Sequence, residues 1–362
     1  MTRVVFTADG RARESLAIGV AGVASVVSSV VALLVFRLEP APIAGPGSVG
    51  QFAAIAATAG AIVVFVFGRY VVRDREHSPR LMDLVDLGVV ALAHAVIALL
   101  SWTLLSAILA QSFANAVVYP IPLVFATGAV TAVTTYLVLH AATGSSPMTL
   151  AVVLAVFLAE GLVASMLSAS DPHWWRDNLS ALGMTNATSA LTFNLTLVVA
   201  GMMITTLTRY ITQALPGASA GGVARLRVSL VLMGVLLAFV GLFPVDVFFW
   251  VHTLSASGMG VVFCILALRV KSWMPGLAPG FIWLGRVFVG VTVLIGSFYA
   301  VGYYTLTAVE LIAAVMAFAW IILFIRNAAL VTVLATEVAV EPLDETLIDV
   351  AVEPQPEPVP VR

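Results

Sequence analysis

The sequence predicts an all-α, polytopic membrane protein, and three observations carry that prediction. Hydrophobic residues make up 61% of the chain and charged ones only 10%, where soluble domains carry about 25% charged residues. The mean hydropathy is +1.08. The apolar residues fall into ten runs of roughly 20, the length that crosses a hydrocarbon core of about 30 Å at 1.5 Å per residue. Hydrocarbon offers no partner to an open backbone amide, so each run must be helical.

The first run, 15–37, exceeds the 7–15-residue apolar region of a signal peptide and is expected to be a retained span. Its ladder of Ala17, Ala21, Ser25 and Ser29, four apart on one face, would let a second helix approach closely. Runs two and three cover 51–73 and 87–110, the latter preceded by Asp83 and Asp86, acids that favour a helix N-terminus. Run four, 117–140, holds the helix-opening Tyr119-Pro120-Ile121-Pro122. The connection Ala-Ala-Thr-Gly-Ser-Ser-Pro at 141–147 is the best internal boundary. It separates a four-helix unit, 1–142, from a six-helix unit, 143–335, built from runs 148–169, 187–211, 226–243, 247–268, 281–302 and 306–328. Gly241-Leu242-Phe243-Pro244 closes the seventh run. A five-plus-five inverted repeat stays open as an alternative architecture. Residues 336–362, acidic and rich in Pro, cannot bury a core and are expected to be a disordered tail.

Charge placement gives the orientation. The net charge of −2 conceals an acidic tail; residues before 337 carry sixteen basic against twelve acidic side chains. Arg3, Arg11, Arg13, Arg69, Arg73, Arg75, Arg80, Arg209, Arg225, Arg227, Arg269, Lys271 and Arg326 fall on one side, whereas Arg37 and Arg176 fall on the other. The positive-inside rule then places both termini in the cytoplasm.

One outward connection breaks the apolar pattern: Asp171-Pro172-His173-Trp174-Trp175-Arg176-Asp177-Asn178-Leu179-Ser180-Ala181-Leu182-Gly183. Asp171 with Pro172 opens a helix and Gly183 closes one. The spacing predicts a short extracytoplasmic interfacial helix near 172–182, with His173, Arg176, Asp177 and Ser180 on a polar stripe. Trp174 and Trp175 would sit at headgroup level, with Trp175, Leu179 and Leu182 on the apolar side. His173 and Asp177, four apart, could pair.

Ionisable groups inside a span are costly and are functional-site candidates. Glu160, Asn194, His252 and Glu310 all fall about 8–12 Å below the outer boundary, and Asp246 lies in the outer turn between spans seven and eight. The matching depths point to an outward-opening polar pocket. Each also has a plainer reading, as a hydrogen-bonded structural carboxyl or a satisfied core histidine. Arg286, about 9 Å from the cytoplasmic end, would snorkel inward. His94 and His140 differ in depth by about 10 Å and have no matching pair opposite, so no haem or other cofactor is called for. Cys264, the single cysteine, rules out an internal disulfide.

Residues 148–330 resemble domain of unknown function 998, a bacterial family of six-helix integral membrane proteins, and more distantly the Frag1/DRAM/Sfk1 group. The matching pieces are Arg176-Asp177-Asn178-Leu179-Ser180-Ala181-Leu182-Gly183, Phe193-Asn194-Leu195 with Gly201, and Gly241-Leu242-Phe243-Pro244-Val245-Asp246 with His252. The resemblance implies six spans with their polar motif residues on one face, in a bacterial cytoplasmic membrane, and it brings no established reaction or catalytic residue. Three readings follow. The first is a non-enzymatic protein that binds or moves a lipid or other amphiphile at the outer leaflet, with the bilayer as partner and no role for nucleic acid. The second is an ion- or proton-coupled transporter using Glu160 and Glu310. The third is an intramembrane metal hydrolase built from His173, Asp177, Asp246 and His252, which the absence of a His-x-x-x-His pair disfavours.

Overall fold

A computed structural model describes residues 2–72, 78–113, 115–144, 146–184, 188–213 and 220–340. Among them are ten α-helices, each with a segment long and apolar enough to cross a membrane. They are α1 (Thr2–Phe36), α2 (Val49–Val71), α3 (Leu81–Ser112), α4 (Pro120–Thr143), α5 (Pro147–Leu167), α6 (Thr188–Gln213), α7 (Ala220–Leu242), α8 (Phe249–Trp273), α9 (Pro279–Ala300) and α10 (Leu306–Val340). The chain is a multi-pass, all-α membrane protein. The tail expected from residue 336 begins inside α10, and from 341 onward it lies outside the described residues.

Local chemistry sets the helix ends. Ser48 and Ser146 accept from the backbone amides of Gln51 and Thr149, supplying an acceptor that the first turn lacks. Proline begins α4, α5 and α9, where a missing N–H costs nothing. Helix α3 starts six residues before the apolar run, because Asp83 closes a cap by accepting from Arg80 N at 3.0 Å.

Two of the connections meet at one end of the bundle. The α1–α2 and α3–α4 loops pair as a two-residue antiparallel ladder, β1 (Ala41–Pro42) with β2 (Val117–Val118), in the register Ala41 to Val118 and Pro42 to Val117. The small-residue face of α1 lies on α4: Ser29 Oγ donates to Val124 O at 3.1 Å, and a Cβ at Gly128 would stand 2.4 Å from Ser29 Oγ. Helices α1 and α2 both pack on α4 but barely on each other. They splay apart and leave an apolar groove of about 890 Å³ open toward lipid.

Helices α5 to α10 pack in sequence order and close into a ring where α10 returns to α5. Glycine lets two neighbouring helices of this ring meet closely. Cβ atoms at Gly201 and Gly234 would stand 2.3 and 2.6 Å from each other's carbonyl oxygens, so α6 and α7 touch backbone to backbone. At the opposite end from the β ladder, Arg209 of α6 binds Asp86 at 2.6 Å and Asp83 at 2.9 Å, fastening the ring to α3.

Candidate functional site

The polar connection after α5 is not one α-helix. It forms two short 3₁₀ turns, Trp174–Arg176 and Leu179–Gly183, separated by Asn178 in an extended conformation (φ −156°, ψ 163°). The cause is competition for a backbone amide. In an α-helix Leu179 N–H would go to the carbonyl of Trp175; here it donates to Glu310 Oε2 at 2.6 Å.

The predicted polar stripe therefore divides. His173, Arg176 and Asp177 are exposed, whereas Ser180 is buried with Leu179, Leu182 and Gly183. The partner expected for His173 is also different: its amide donates to Asp171 Oδ1 at 2.8 Å, and its Nδ1 lies 3.8 Å from the same oxygen. Arg176 lies over the Trp175 ring at 5.4 Å, and Trp174 is half-buried against the core.

Three intramembrane residues picked out by depth meet the second turn from three helices. Glu310 of α10 holds Leu179 N, His252 of α8 holds the Ser180 side chain, and Asn194 of α6 donates from Nδ2 to Gly183 O at 3.0 Å. The turn is clamped at its first, second and last residues. His252, 4% exposed, contacts Phe243 O through Nδ1 at 2.9 Å and Ser180 Oγ through Nε2 at 2.8 Å. A carbonyl only accepts, so Nδ1 carries the hydrogen; in the neutral ring Nε2 is then an acceptor, and the Ser180 hydroxyl donates to it. Gly241-Leu242-Phe243-Pro244 contributes through this carbonyl, which no reading of side chains alone would find.

Beneath the clamped turn lies a cavity of about 230 Å³ inside the six-helix ring. Its walls are largely apolar, from Leu158, Phe193, Met233, Phe263, Ala314 and Phe318 among others, and Leu179, Ser180 and Glu310 also line it. An apolar cavity of roughly 150 Å³ admits a benzene-sized guest, so this one has room for a stretch of alkyl chain.

Glu160 lies elsewhere. It faces α3, where Ser101 donates to Oε1 at 2.6 Å, and it is not part of the cavity wall. Ser101 lies on α3, outside residues 148–330, so spacing within that stretch gives no signal for it. Asp246 is exposed in the α7–α8 turn. Among the described residues no three His, Cys, Asp or Glu side chains come close enough to hold a metal ion, so the four residues considered as hydrolase ligands do not form a set. His94 is buried, with Nδ1 2.8 Å from Val90 O and its ring stacked on Phe65. His140 pairs with Glu14 at 3.2 Å on α1, beside Tyr136, which donates to the same carboxylate at 2.8 Å. Arg286 lies over Trp283 at 5.0 Å.

Comparison with known proteins finds no matching family model, no matching curated protein and no matching solved structure.

Proposed function

We propose that the six-helix ring binds the alkyl chain of a lipid or similar amphiphile in the outer leaflet of a bacterial cytoplasmic membrane. The observation that carries this reading is the apolar cavity of about 230 Å³ capped by a polar, clamped turn. Such a site divides an amphiphile as the amphiphile divides itself: the chain enters the cavity, and the polar end stays near Glu310 and the exposed His173, Arg176 and Asp177. The two tryptophans suit a headgroup-level position. The resemblance to domain of unknown function 998 belongs to the same proposal, since its motif pieces supply Ser180, Asn194, the Phe243 carbonyl and His252 to the clamp, to which Glu310 is added from outside them.

The coupled-transport reading has less support, because Glu160 and Glu310 do not share a cavity and Glu160 is engaged by Ser101. The test is mass spectrometry of lipid retained by gently purified protein, compared with an Ala314→Phe variant that fills the cavity. Binding predicts one lipid class enriched over bulk membrane and lost in the variant. No enrichment in the wild-type protein would end the proposal.

A further inference from the structure

We infer that Ser180 and His252 form a nucleophile–base pair that accepts the acyl group of an ester lipid whose chain occupies the cavity. The inference rests on the binding reading above and adds chemistry to it. Three features of the geometry support it. First, the proton is already placed for transfer. The Phe243 carbonyl fixes the Nδ1–H form of His252, so Nε2 is the accepting atom and faces the Ser180 hydroxyl at 2.8 Å. A base within hydrogen-bond reach of a hydroxyl, itself oriented by a third group, is the arrangement that activates serine. Here a backbone carbonyl supplies the orientation that a carboxylate supplies in the familiar triad.

Second, the pair has a front and a back. Ser180 lies on the cavity wall and His252 does not, so an acyl carbonyl entering with its chain meets Oγ while the imidazole supports it from behind. Third, the nucleophile is held. Glu310 fixes the amide before it and Asn194 the carbonyl three residues after it, which limits the reorganisation needed to reach a reactive pose. The Thr307 hydroxyl, buried and without a partner one turn before Glu310, is a spare donor at the same end of α10.

The reaction balances without a cofactor. Ser180 Oγ bonds to the acyl carbon as its proton passes to His252 Nε2. The ester C–O bond breaks, and the same proton goes to the departing alkoxide, releasing an alcohol such as a lysolipid. Water or a second alcohol then attacks acyl-Ser180, with His252 taking its proton and returning it to Oγ.

A long-chain alkyl fluorophosphonate, which phosphonylates an activated serine and releases fluoride, tests the pair on the full chain in lipid nanodiscs. Peptide mass spectrometry is expected to find the adduct on Ser180, absent from Ser180→Ala and formed about 100-fold more slowly in His252→Gln, the scale of a lost general base. A simple latch between loop and helix predicts no adduct, or an equal rate in His252→Gln, and either result overturns the inference. The wild-type arm stands even if a variant misfolds, which its thermal midpoint reports. Enriched lipid without an adduct removes this inference and leaves the binding reading; an adduct without enriched lipid overturns the binding reading and, with it, the acyl site placed in the cavity.

Discussion

At Gly183 the packing leaves room for hydrogen alone, since a Cβ would stand 2.5 Å from Asn194 Oδ1 and 2.7 Å from Phe193 Cδ1. Asn194 must also keep its amide on the Gly183 carbonyl, so the side chain cannot retreat without breaking a clamp. Gly183→Ala is therefore expected to destabilise the protein by about 1–3 kcal/mol, the usual cost of overpacking, read as a lower thermal midpoint in detergent. Glu310→Ala removes the acceptor of Leu179 N–H. An orphaned buried amide costs about 1–3 kcal/mol. The loss is local, so hydrogen exchange should rise across 178–184 while α6 and α7 stay protected. Uniform protection in that variant would show that Glu310 does not hold the turn. The sequence picked out Asn194, His252 and Glu310 by their depth in the spans. It could not say that they meet backbone and hydroxyl groups of one turn, because depth fixes height in the bilayer and leaves the facing direction free.

Helix pairs repeat the point on a larger scale. Helices α6 and α7 meet through Gly201 and Gly234, whose carbonyls occupy the space any side chain would need. Gly201→Val is expected to separate the two helices and abolish the folded, monodisperse peak in size-exclusion chromatography, whereas Gly290→Ala, with open space around its Cβ position, should behave as wild type. The joint between α3 and α6 is ionic. Asp86 accepts from Thr206 Oγ1 at 2.8 Å and from Arg209 at 2.6 Å, and Asp86 is only 9% exposed. A double-mutant cycle with Asp86→Ala and Arg209→Ala should return a coupling of about 0.5–3 kcal/mol, as expected for contacting residues; additive losses would show that the pair does not fasten α3 to α6. The predicted interfacial helix failed at this scale. Its periodicity was amphipathic, but α-helical periodicity states only which residues would share a face if the backbone bonded to itself. Glu310, 131 residues away, took the amide that the helix needed.

For the whole molecule, the two ends of the bundle carry different chemistry. One end gathers the β ladder and the clamped turn; the other gathers the Arg209, Asp86, Glu14 and His140 pairs. Because Cys264 is the single cysteine, a Cys264→Ala background permits mapping by thiol labelling. Trp175→Cys should react with a membrane-impermeant maleimide added outside intact cells, and a cysteine placed at Arg362 should react only after lysis. The reverse pattern would overturn the orientation drawn from arginine and lysine placement.

The amino-acid order alone determined the solvent, the number of crossings, the helical nature of each crossing and the end of the bundle that holds unusual polar groups. These follow from local quantities: apolar length against bilayer thickness, obligatory backbone hydrogen bonding in hydrocarbon, and the sign of charge between spans. Only the tertiary structure decided the rest. Each transmembrane helix can rotate about its axis without changing its hydropathy, and rotation sets partners. Glu160 turned to Ser101 on α3 while Glu310 and His252 turned to Leu179 and Ser180. A solvated serine on a surface stripe thereby became the buried partner of an oriented imidazole.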